Sequence, residues 1–568
     1  MFNRAAEKTA SNLILVGAPF TSLFIVLSSV TDPVNATKLV IAGGLGFGLA
    51  GLFLGFNLRQ NLKNFRWYLL LCLSLLIATI SAALNSDSPL SQNIYGSYGR
   101  NTGLVAYLAL VFISLGALNL REAQNFKKII YGLQIVGAIN VIYCAWVLAF
   151  GDFLSWSNPY GNILGLFGNP NFIGAFLGMF IASLMATSAD PKATWKYRVG
   201  ALLVGTLAFY EVLESNAIQG IVVTAGGAAI VGFFIVRSKI KTITATYLYV
   251  IGAGSVGLLA LLGALQKGPL DFVYKTSVSL RGAYWNAGIT MGKEHPWTGV
   301  GMDSYGDWYR RTRSEQAATI LPGPRTVTNA AHNVVIDFFA FGGWPLLLSY
   351  LGMLTLASIA IIRVLRRGRN YDVTFVALAT TWACYQAQSL ISINQIGLAI
   401  WGWLLTAALI SYEFATRKPQ LNLEVSKAGK IGKIASAKTS SGVFSPQLIA
   451  GIGIVVGLIV ASPPMSADTK WRTALKSGQG DIVLKALEPS YLNPSNSQRF
   501  AQGVQLFANS NLVNEARQVA LAGIEFNPEY FDAWRVLYFL PNSTEEEKNE
   551  ALANMKRLDP RNPDVLAN

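Results

Sequence analysis

Apolar residues occur along this chain in long runs separated by short polar segments. About thirteen of these runs have the length, about 17–25 residues, that an α-helix needs to cross the hydrocarbon core of a membrane. Because only helices and closed barrels satisfy all backbone polar groups in lipid, the pattern predicts an all-α, polytopic membrane protein. The runs lie at 12–31, 38–57, 67–84, 103–119, 129–150, 171–189, 199–213, 217–236, 245–265, 333–362, 373–391, 396–415 and 447–463.

Basic residues are concentrated in every second polar segment. With the N-terminus placed in the cytoplasm, the cytoplasmic segments hold most of the lysines and arginines, whereas the short outside segments hold only Lys38 and Arg100. This is the positive-inside bias of multi-pass proteins. It predicts a cytoplasmic N-terminus and an extracytoplasmic position for the one long polar segment, 266–331.

Four parts are predicted from this topology. A membrane body, 1–415, contains the extracytoplasmic loop 266–331 and is followed by a basic cytoplasmic linker, 416–446. A further span, 447–463, carries a tail, 464–568, to the outside.

The tail has an internal period marked by proline. Asn493-Pro494, Asn527-Pro528 and Asp559-Pro560 are spaced by 34 and 32 residues. Small and aromatic packing residues lie between them, a pattern that resembles the tetratricopeptide (TPR) repeat. Two interpretations remain open, namely a platform for a protein partner and a helical cap without a ligand.

Composition narrows the class of protein. The chain is 52% hydrophobic and 13% charged, against about 25% charged residues in soluble domains. Its net charge of +15 is explained by the basic cytoplasmic segments, so we expect no nucleic-acid partner. The three cysteines lie in apolar runs with no metal-ligand spacing, and no motif indicates a metal or a cofactor.

One histidine stands out as a candidate catalytic residue. The chain has only two, His295 and His332. His332 lies where an apolar run begins, directly after the arginine-rich loop, and a neutral imidazole there is suited to act as a base. His295 precedes a proline in a turn-like segment, so we expect a structural role for it.

Arginines near this position are candidate ligands for an anionic substrate. Their planar guanidinium groups bind phosphate through paired, charge-assisted hydrogen bonds. The residues predicted to bind the anionic, lipid-linked donor of a transfer reaction are Arg281, Arg100, Arg310 and Arg311. Asn333, Asp337, Gln388 and Asn394 are predicted to be structural or to face the acceptor, since they lie at the outer ends of spans.

Several motifs together resemble one family. The segments 331–337 (Ala-His-Asn-Val-Val-Ile-Asp) and 342–346 (Gly-Gly-Trp-Pro-Leu) resemble the core motif of the O-antigen ligase and O-antigen polymerase superfamily. The stretch from Arg281 to the Gly-Val-Gly at 299–301 and the Gly-Asn-Pro-Asn-Phe at 168–172 are also similar to family motifs.

The resemblance implies a GT-C-like membrane glycosyltransferase that uses an undecaprenyl-pyrophosphate-linked glycan. The acceptor would be lipid A-core, another lipid-linked repeat or a protein. His332 matches the family's base, and Arg281 and Arg100 match pyrophosphate-binding positions. The chain departs from the pattern at Ile218-Gln219-Gly220, where members often have Ser-Arg-Gly, and in its extra span and tail.

Two hypotheses of other classes remain. A transporter for lipid-linked glycans would require a polar cavity at the membrane midplane and internal repeats. A scaffold would use the tail to recruit partners while the membrane body serves as an anchor. The polar residues concentrate at one face of the membrane, which favours the glycosyltransferase.

Overall fold

The computed structural model describes residues 2–269, 271, 276–417 and 444–567. The chain is 75% helical, and no β-strand occurs among the described residues. The all-α prediction is therefore confirmed. The predicted linker, 416–446, falls mostly on 418–443, which lie outside the described residues.

Each predicted apolar run overlaps a helix of the body. The body helices in the described ranges are α1 (Arg4–Leu23), α2 (Asn35–Leu52), α3 (Leu58–Leu84), α4 (Leu90–Tyr95), α5 (Leu104–Ala117), α6 (Ala123–Phe150), α7 (Pro170–Ser188), α8 (Trp195–Glu214), α9 (Ile218–Lys239), α10 (Ile243–Ala264), α11 (Thr276–Glu294), α12 (Tyr305–Thr312), α13 (Glu315–Thr319), α14 (Val334–Arg367), α15 (Val373–Ser389), α16 (Ile396–Thr416) and α17 (Pro446–Ala461). The predicted loop 266–331 thus contains three helices of its own.

Helix length and hydropathy together give fewer membrane spans than the apolar runs of the sequence. Within the described ranges, seven helices are long and apolar enough to cross a membrane, or eight if the bent pair Pro446–Ala461 and Pro463–Ser477 counts as one span. One of the seven, Asn35–Leu84, contains two predicted runs and is interrupted by a π-helical turn at Phe53–Asn57. A polytopic membrane protein is confirmed, and the count of thirteen stays a prediction.

The polar segments meet at two ends of the body. At the first, which we call the outer-loop end, the Ser86 hydroxyl donates to the Val300 carbonyl at 2.8 Å. At the second, the basic end, the Arg121 guanidinium donates to the Ser411 hydroxyl at 2.8 Å. The segments predicted to lie outside therefore share one end, and arginine-rich segments share the other.

The last body helix, α17, packs closely on α2. A Cβ added to Gly457 would lie 2.2 Å from the Gly43 carbonyl oxygen, and one added to Gly453 would lie 2.4 Å from that of Phe47. Small residues at a spacing of four allow helix backbones to approach in a membrane. These glycines fix α17, and with it the start of the tail, against the N-terminal part of the body.

At a break in α14, the glycine pair at 342–343 lies next to the Gly-Val-Gly segment at 299–301. At 342–343 the helix is interrupted, and Gly343 has φ 61°. Pro345 has no N–H to offer the Phe341 carbonyl; the Gly301 N–H, at 3.1 Å, supplies the hydrogen bond instead. The Gly-Val-Gly segment at 299–301 is thus bonded to α14 through its backbone.

The tail consists of short helices that pack in pairs. Its described helices are α18 (Pro463–Ser477), α19 (Gly480–Leu487), α20 (Ser497–Asn509), α21 (Val513–Phe526), α22 (Phe531–Phe539), α23 (Glu545–Leu558) and α24 (Pro563–Leu566). Trp471, Phe500 and Trp534 contribute to one buried apolar cluster that runs through the pairs. The helical pairs are present as predicted, while the likeness to the TPR repeat stays a prediction.

The polar residues that precede the three prolines are buried at the junctions between helices. The Asn493 amide donates to the Ala486 carbonyl at 3.0 Å, and the Asn527 amide donates to the Ser497 hydroxyl at 3.0 Å. Asp559 is directed out of the tail toward the body, where it contacts Arg313 of the long loop 266–331.

Candidate active site

His332 is held in a tight turn before α14. Its backbone is left-handed, with φ 56°, which few residues other than glycine adopt. The turn is fixed on both sides, because the Asp337 carboxylate accepts from the Ala331 N–H at 2.7 Å and the Asn333 side chain accepts from the Val335 N–H at 3.0 Å. Asn333 and Asp337 therefore hold the backbone that presents the imidazole.

The imidazole has one ring nitrogen engaged. Nδ1 lies 3.3 Å from the Ala330 carbonyl oxygen. Because a carbonyl can only accept, this contact is a hydrogen bond only if Nδ1 carries the proton, which leaves the Nε2 lone pair to act as a base. No hydrogen bond to Nε2 occurs within the described part of the chain. The Tyr284 ring lies 5.6 Å from the imidazole, centroid to centroid.

Two predicted arginines act electrostatically on His332. Burial, the Arg100 charge and the Arg281 charge together lower the pKa of His332 to about 4. The imidazole is therefore neutral near pH 7. The structure thus places the charges of Arg100 and Arg281 close enough to His332 to act on its imidazole.

Each of these arginines donates a hydrogen bond from its guanidinium group to a backbone carbonyl of a residue distant in sequence. The Arg281 Nε donates to the Ile391 carbonyl at 3.1 Å, and burial lowers the pKa of its guanidinium. The Arg100 Nη1 donates to the Asn329 carbonyl at 2.8 Å, and its Nε lies 3.5 Å from the Asp303 carboxylate. Both charges are thus held in place at the outer-loop end.

Arg310 and Arg311 have different partners. Arg310 forms an ion pair at 3.0 Å with Asp559 of the tail, and Arg311 forms one at 2.6 Å with Glu529 of the tail. Their guanidinium groups therefore hold the tail against the loop. They are not among the charges that lower the pKa of His332, and donor binding by Arg310 and Arg311 stays a prediction.

The structure adds two residues that the sequence analysis missed, Tyr284 and Asp303. Tyr284 lies one turn after Arg281 on α11 and is placed between His332 and Tyr309, whose ring is 5.8 Å away. Asp303 pairs with Arg100. The i, i+3 spacing from Arg281 would have indicated Tyr284, but no local signal links Asp303 to Arg100 over some two hundred residues.

The two amides predicted near α15 and α16 are buried. The Asn394 side chain accepts from the Tyr385 hydroxyl at 2.9 Å and donates to the Tyr107 hydroxyl at 3.3 Å. The Gln388 side-chain amide oxygen, Oε1, is buried without a hydrogen-bond partner among the described residues. Asn394 is thus used within the protein, and an acceptor-side role for Gln388 stays a prediction.

Gln219 occupies the position where the resembling family often has arginine. Its amide donates to the Asn171 carbonyl, so it joins α9 to the start of α7. His295, the second histidine, packs its ring 4.6 Å from Trp308. In the described ranges, no group of three or more His, Cys, Asp or Glu side chains is placed to hold a metal ion.

These observations define a class: a polytopic membrane protein with a neutral histidine and two partly buried arginines at one polar end. Residues 172–351 match the family model described as O-antigen ligase. The match supports a glycosyltransferase of the O-antigen ligase or polymerase type. It includes His332, Arg281, Asn333 and Asp337, and it excludes Arg100 and the tail. A search of curated proteins gives no match to this chain.

Proposed function

We propose that this protein transfers a glycan from an undecaprenyl-pyrophosphate-linked donor to an acceptor hydroxyl. The observation that carries the proposal is the neutral His332, whose Nε2 has no protein partner in the described ranges and which lies within the field of Arg281 and Arg100. A base beside two fixed positive charges is the arrangement needed to deprotonate a nucleophile while a pyrophosphate leaves.

The reaction is a single displacement at the anomeric carbon. His332 Nε2 accepts the proton of the acceptor hydroxyl as its oxygen forms the new glycosidic bond. The bond between the anomeric carbon and the pyrophosphate oxygen breaks, and its electron pair stays on the pyrophosphate. Attack from the face opposite the leaving group gives inversion.

Arg281 and Arg100 bind the pyrophosphate and stabilise the charge that develops on it. They supply the positive charge that a metal ion provides in other transferases, so we expect transfer to persist in EDTA. Because both arginines lower the pKa of His332, an anion bound between them would offset their effect. Donor binding would then raise the pKa of the imidazole toward its ordinary value and make it a stronger base.

The acceptor class follows from the family likeness alone. A ligase would add the glycan once to lipid A-core, a polymerase would add it to another lipid-linked repeat, and a protein O-oligosaccharyltransferase would add it to a side-chain hydroxyl. We place the ligase first. The described contacts of His332 do not favour one acceptor over another.

We propose that the protein lies in a bacterial cytoplasmic membrane with its outer-loop end and tail outside. The arginine-rich segments that meet at the basic end support a cytoplasmic position for that end. The ion pairs between the tail and the loop that carries Arg310 and Arg311 favour a structural part for the tail. Recruitment of a protein partner by the tail is a second proposal.

Glycan transfer by purified protein in EDTA tests the proposal. The donor is an undecaprenyl-pyrophosphate oligosaccharide, and the products are separated by size and acceptor. We expect His332→Ala to lose transfer and His295→Ala, the matched control at the other histidine, to retain it. A folded His332→Ala protein with wild-type turnover would refute the base. One added glycan indicates a ligase, and a ladder indicates a polymerase.

A further inference from the structure

A cavity lies next to the candidate active site at the outer-loop end of the body. Its volume is about 510 Å³, and it is bounded by the loop 27–35, the loop before α7 and helix α18 of the tail. The volume is within the usual range for small-molecule sites, which are about 300–1,000 Å³. His332 and its two arginines are not among the residues that line it.

Two charged side chains that line this cavity each have one buried atom without a hydrogen-bond partner among the described residues. Asp32 is 8% exposed, and its Oδ1 accepts from the N–H groups of Val34 and Asn35 at 3.0 and 3.1 Å. Its buried Oδ2 has no hydrogen-bond partner among the described residues, and neither has the buried Nε of Arg472. Buried polar groups are normally satisfied, so these two atoms are available to bind a ligand in the cavity.

The tail holds Arg472 in this position. One helical turn earlier on α18, the Asp468 carboxylate accepts from the backbone N–H groups of Thr31 and Asp32, both at 2.8 Å. Residues four apart share a helix face, so the bonds that dock Asp468 also bring Arg472 to the cavity wall. The site is therefore shared between the body and the tail.

The remaining lining suits a sugar ring. Trp156 and Tyr160 offer aromatic faces, and the Trp156 indole is held by a 2.7 Å hydrogen bond from its Nε1 to Asp152. Asn35 and Asn169 add amide donors and acceptors. A sugar presents an apolar C–H face together with a rim of hydroxyls, so aromatic surfaces beside polar groups can contact both.

Two residues that line the cavity are close in sequence to residues of the candidate active site. Gly99, which lines the cavity, directly precedes Arg100. Ile393, also in the lining, lies two residues from Ile391, whose carbonyl holds Arg281. A ligand in the cavity would therefore lie next to the backbone that positions both arginines.

We propose that this cavity binds a hexose unit of the glycan substrate, with Arg472 and Asp32 hydrogen-bonding its hydroxyls. The proposal rests on the proposed function, since the ligand is part of the glycan that is transferred. The proposal gives the tail a direct part in binding substrate. The tail lies outside the family match at 172–351.

Binding of short glycans to the full-length protein in nanodiscs tests the cavity. The probes are maltotriose, tri-N-acetylchitotriose and trigalacturonate, measured by saturation-transfer NMR. We expect at least one to bind, and Arg472→Gln and Asp32→Asn to weaken it roughly tenfold, the effect of losing one charge-assisted hydrogen bond. The exposed Lys470→Gln on the same helix is the matched control and should bind as wild type.

Arg472→Gln alone suffices if Asp32→Asn fails to fold. The proposal is overturned if none of the three probes binds at about 10 mM, or if both variants bind as tightly as wild type. The measurement is repeated in His332→Ala, which should lose transfer and retain probe binding. Normal transfer by wild type without any probe binding would overturn the cavity alone. Wild-type turnover by His332→Ala, with probe binding still lost in Arg472→Gln, would overturn the base and support the cavity.

Discussion

The carboxylate of Asp559 in the tail accepts hydrogen bonds from Arg313 of the long loop 266–331 at 2.7 and 2.8 Å, and both side chains are fully buried. The same carboxylate pairs with Arg310. Arg310 lies on α12 and Arg313 directly follows this helix, which also carries Tyr309; the Tyr309 ring packs against Tyr284 near His332. The tail is thus connected to the active site through one short helix.

Removing this carboxylate should release the tail. In Asp559→Ala, two arginines would keep their charges in a buried place without a partner, which costs about 3–5 kcal/mol. We expect faster proteolysis between the tail and the body, and a lower rate of glycan transfer. Limited proteolysis in nanodiscs, alongside a transfer assay, measures both effects.

A second ion pair at the same interface serves as the control. Arg325 and Asp564 are 3.8 Å apart, and their side chains are 92% and 57% exposed. Because exposed pairs contribute at most about 1 kcal/mol, Asp564→Ala should behave as wild type. Equal proteolysis of the two variants would contradict a stabilising role for the buried pair.

The pH dependence of transfer should report the lowered pKa of His332. The base must be deprotonated, and the pKa of His332 is about 4 in the free enzyme. We therefore expect kcat/KM, which follows the free enzyme, to be level at neutral pH and to fall as the pH drops through about 4. The kcat profile should fall at a higher pH, because the bound pyrophosphate offsets the arginine charges.

Arg100→Gln tests the cause of this shift. Loss of a positive charge that lowers the pKa of His332 should move the acid limb of kcat/KM to higher pH. Arg198→Gln, an exposed arginine on α8, should leave the limb in place. If the acid limb of kcat/KM does not move in Arg100→Gln, the Arg100 charge does not lower the pKa of the base.

Loss of Arg281 should impair the chemical step more than substrate binding. If its guanidinium stabilises charge on the leaving pyrophosphate, Arg281→Ala should lower kcat by roughly 10²–10³-fold, as for loss of one transition-state donor elsewhere. Arg281→Lys should recover little, because lysine lacks the planar fork. Steady-state kinetics with varied donor would measure this; a change in KM alone would indicate simple binding.

The break in α14 should not tolerate a side chain. A Cβ at Gly343 would lie 2.2 Å from the Pro296 carbonyl oxygen, and its φ of 61° disfavours other residues. We expect Gly343→Ala to lower the melting temperature by several degrees, since such changes cost roughly 1–3 kcal/mol. Gly257→Ala, with nothing within 4 Å of its added Cβ, is the control, and equal melting temperatures would contradict the clash.

The sequence predicts the helices well because apolar length is a local property. It also predicts that His332, Arg281 and Arg100 converge, since topology places their segments at one end of the body. Arg310 and Arg311 show the limit of this approach. Their partners, Asp559 and Glu529, are more than two hundred positions away, and no periodicity marks which distant carboxylate a basic residue will meet.

The close contact between α2 and α17 has a consequence for biogenesis. The glycine-lined face of α2 is synthesised about 400 residues before its partner helix, which corresponds to roughly 20–80 s of translation at about 5–20 residues per second. During that time the face around Gly43 must meet lipid or a chaperone. This face of α2 is therefore covered by α17 only late in synthesis, and a chain truncated before α17 would leave it exposed.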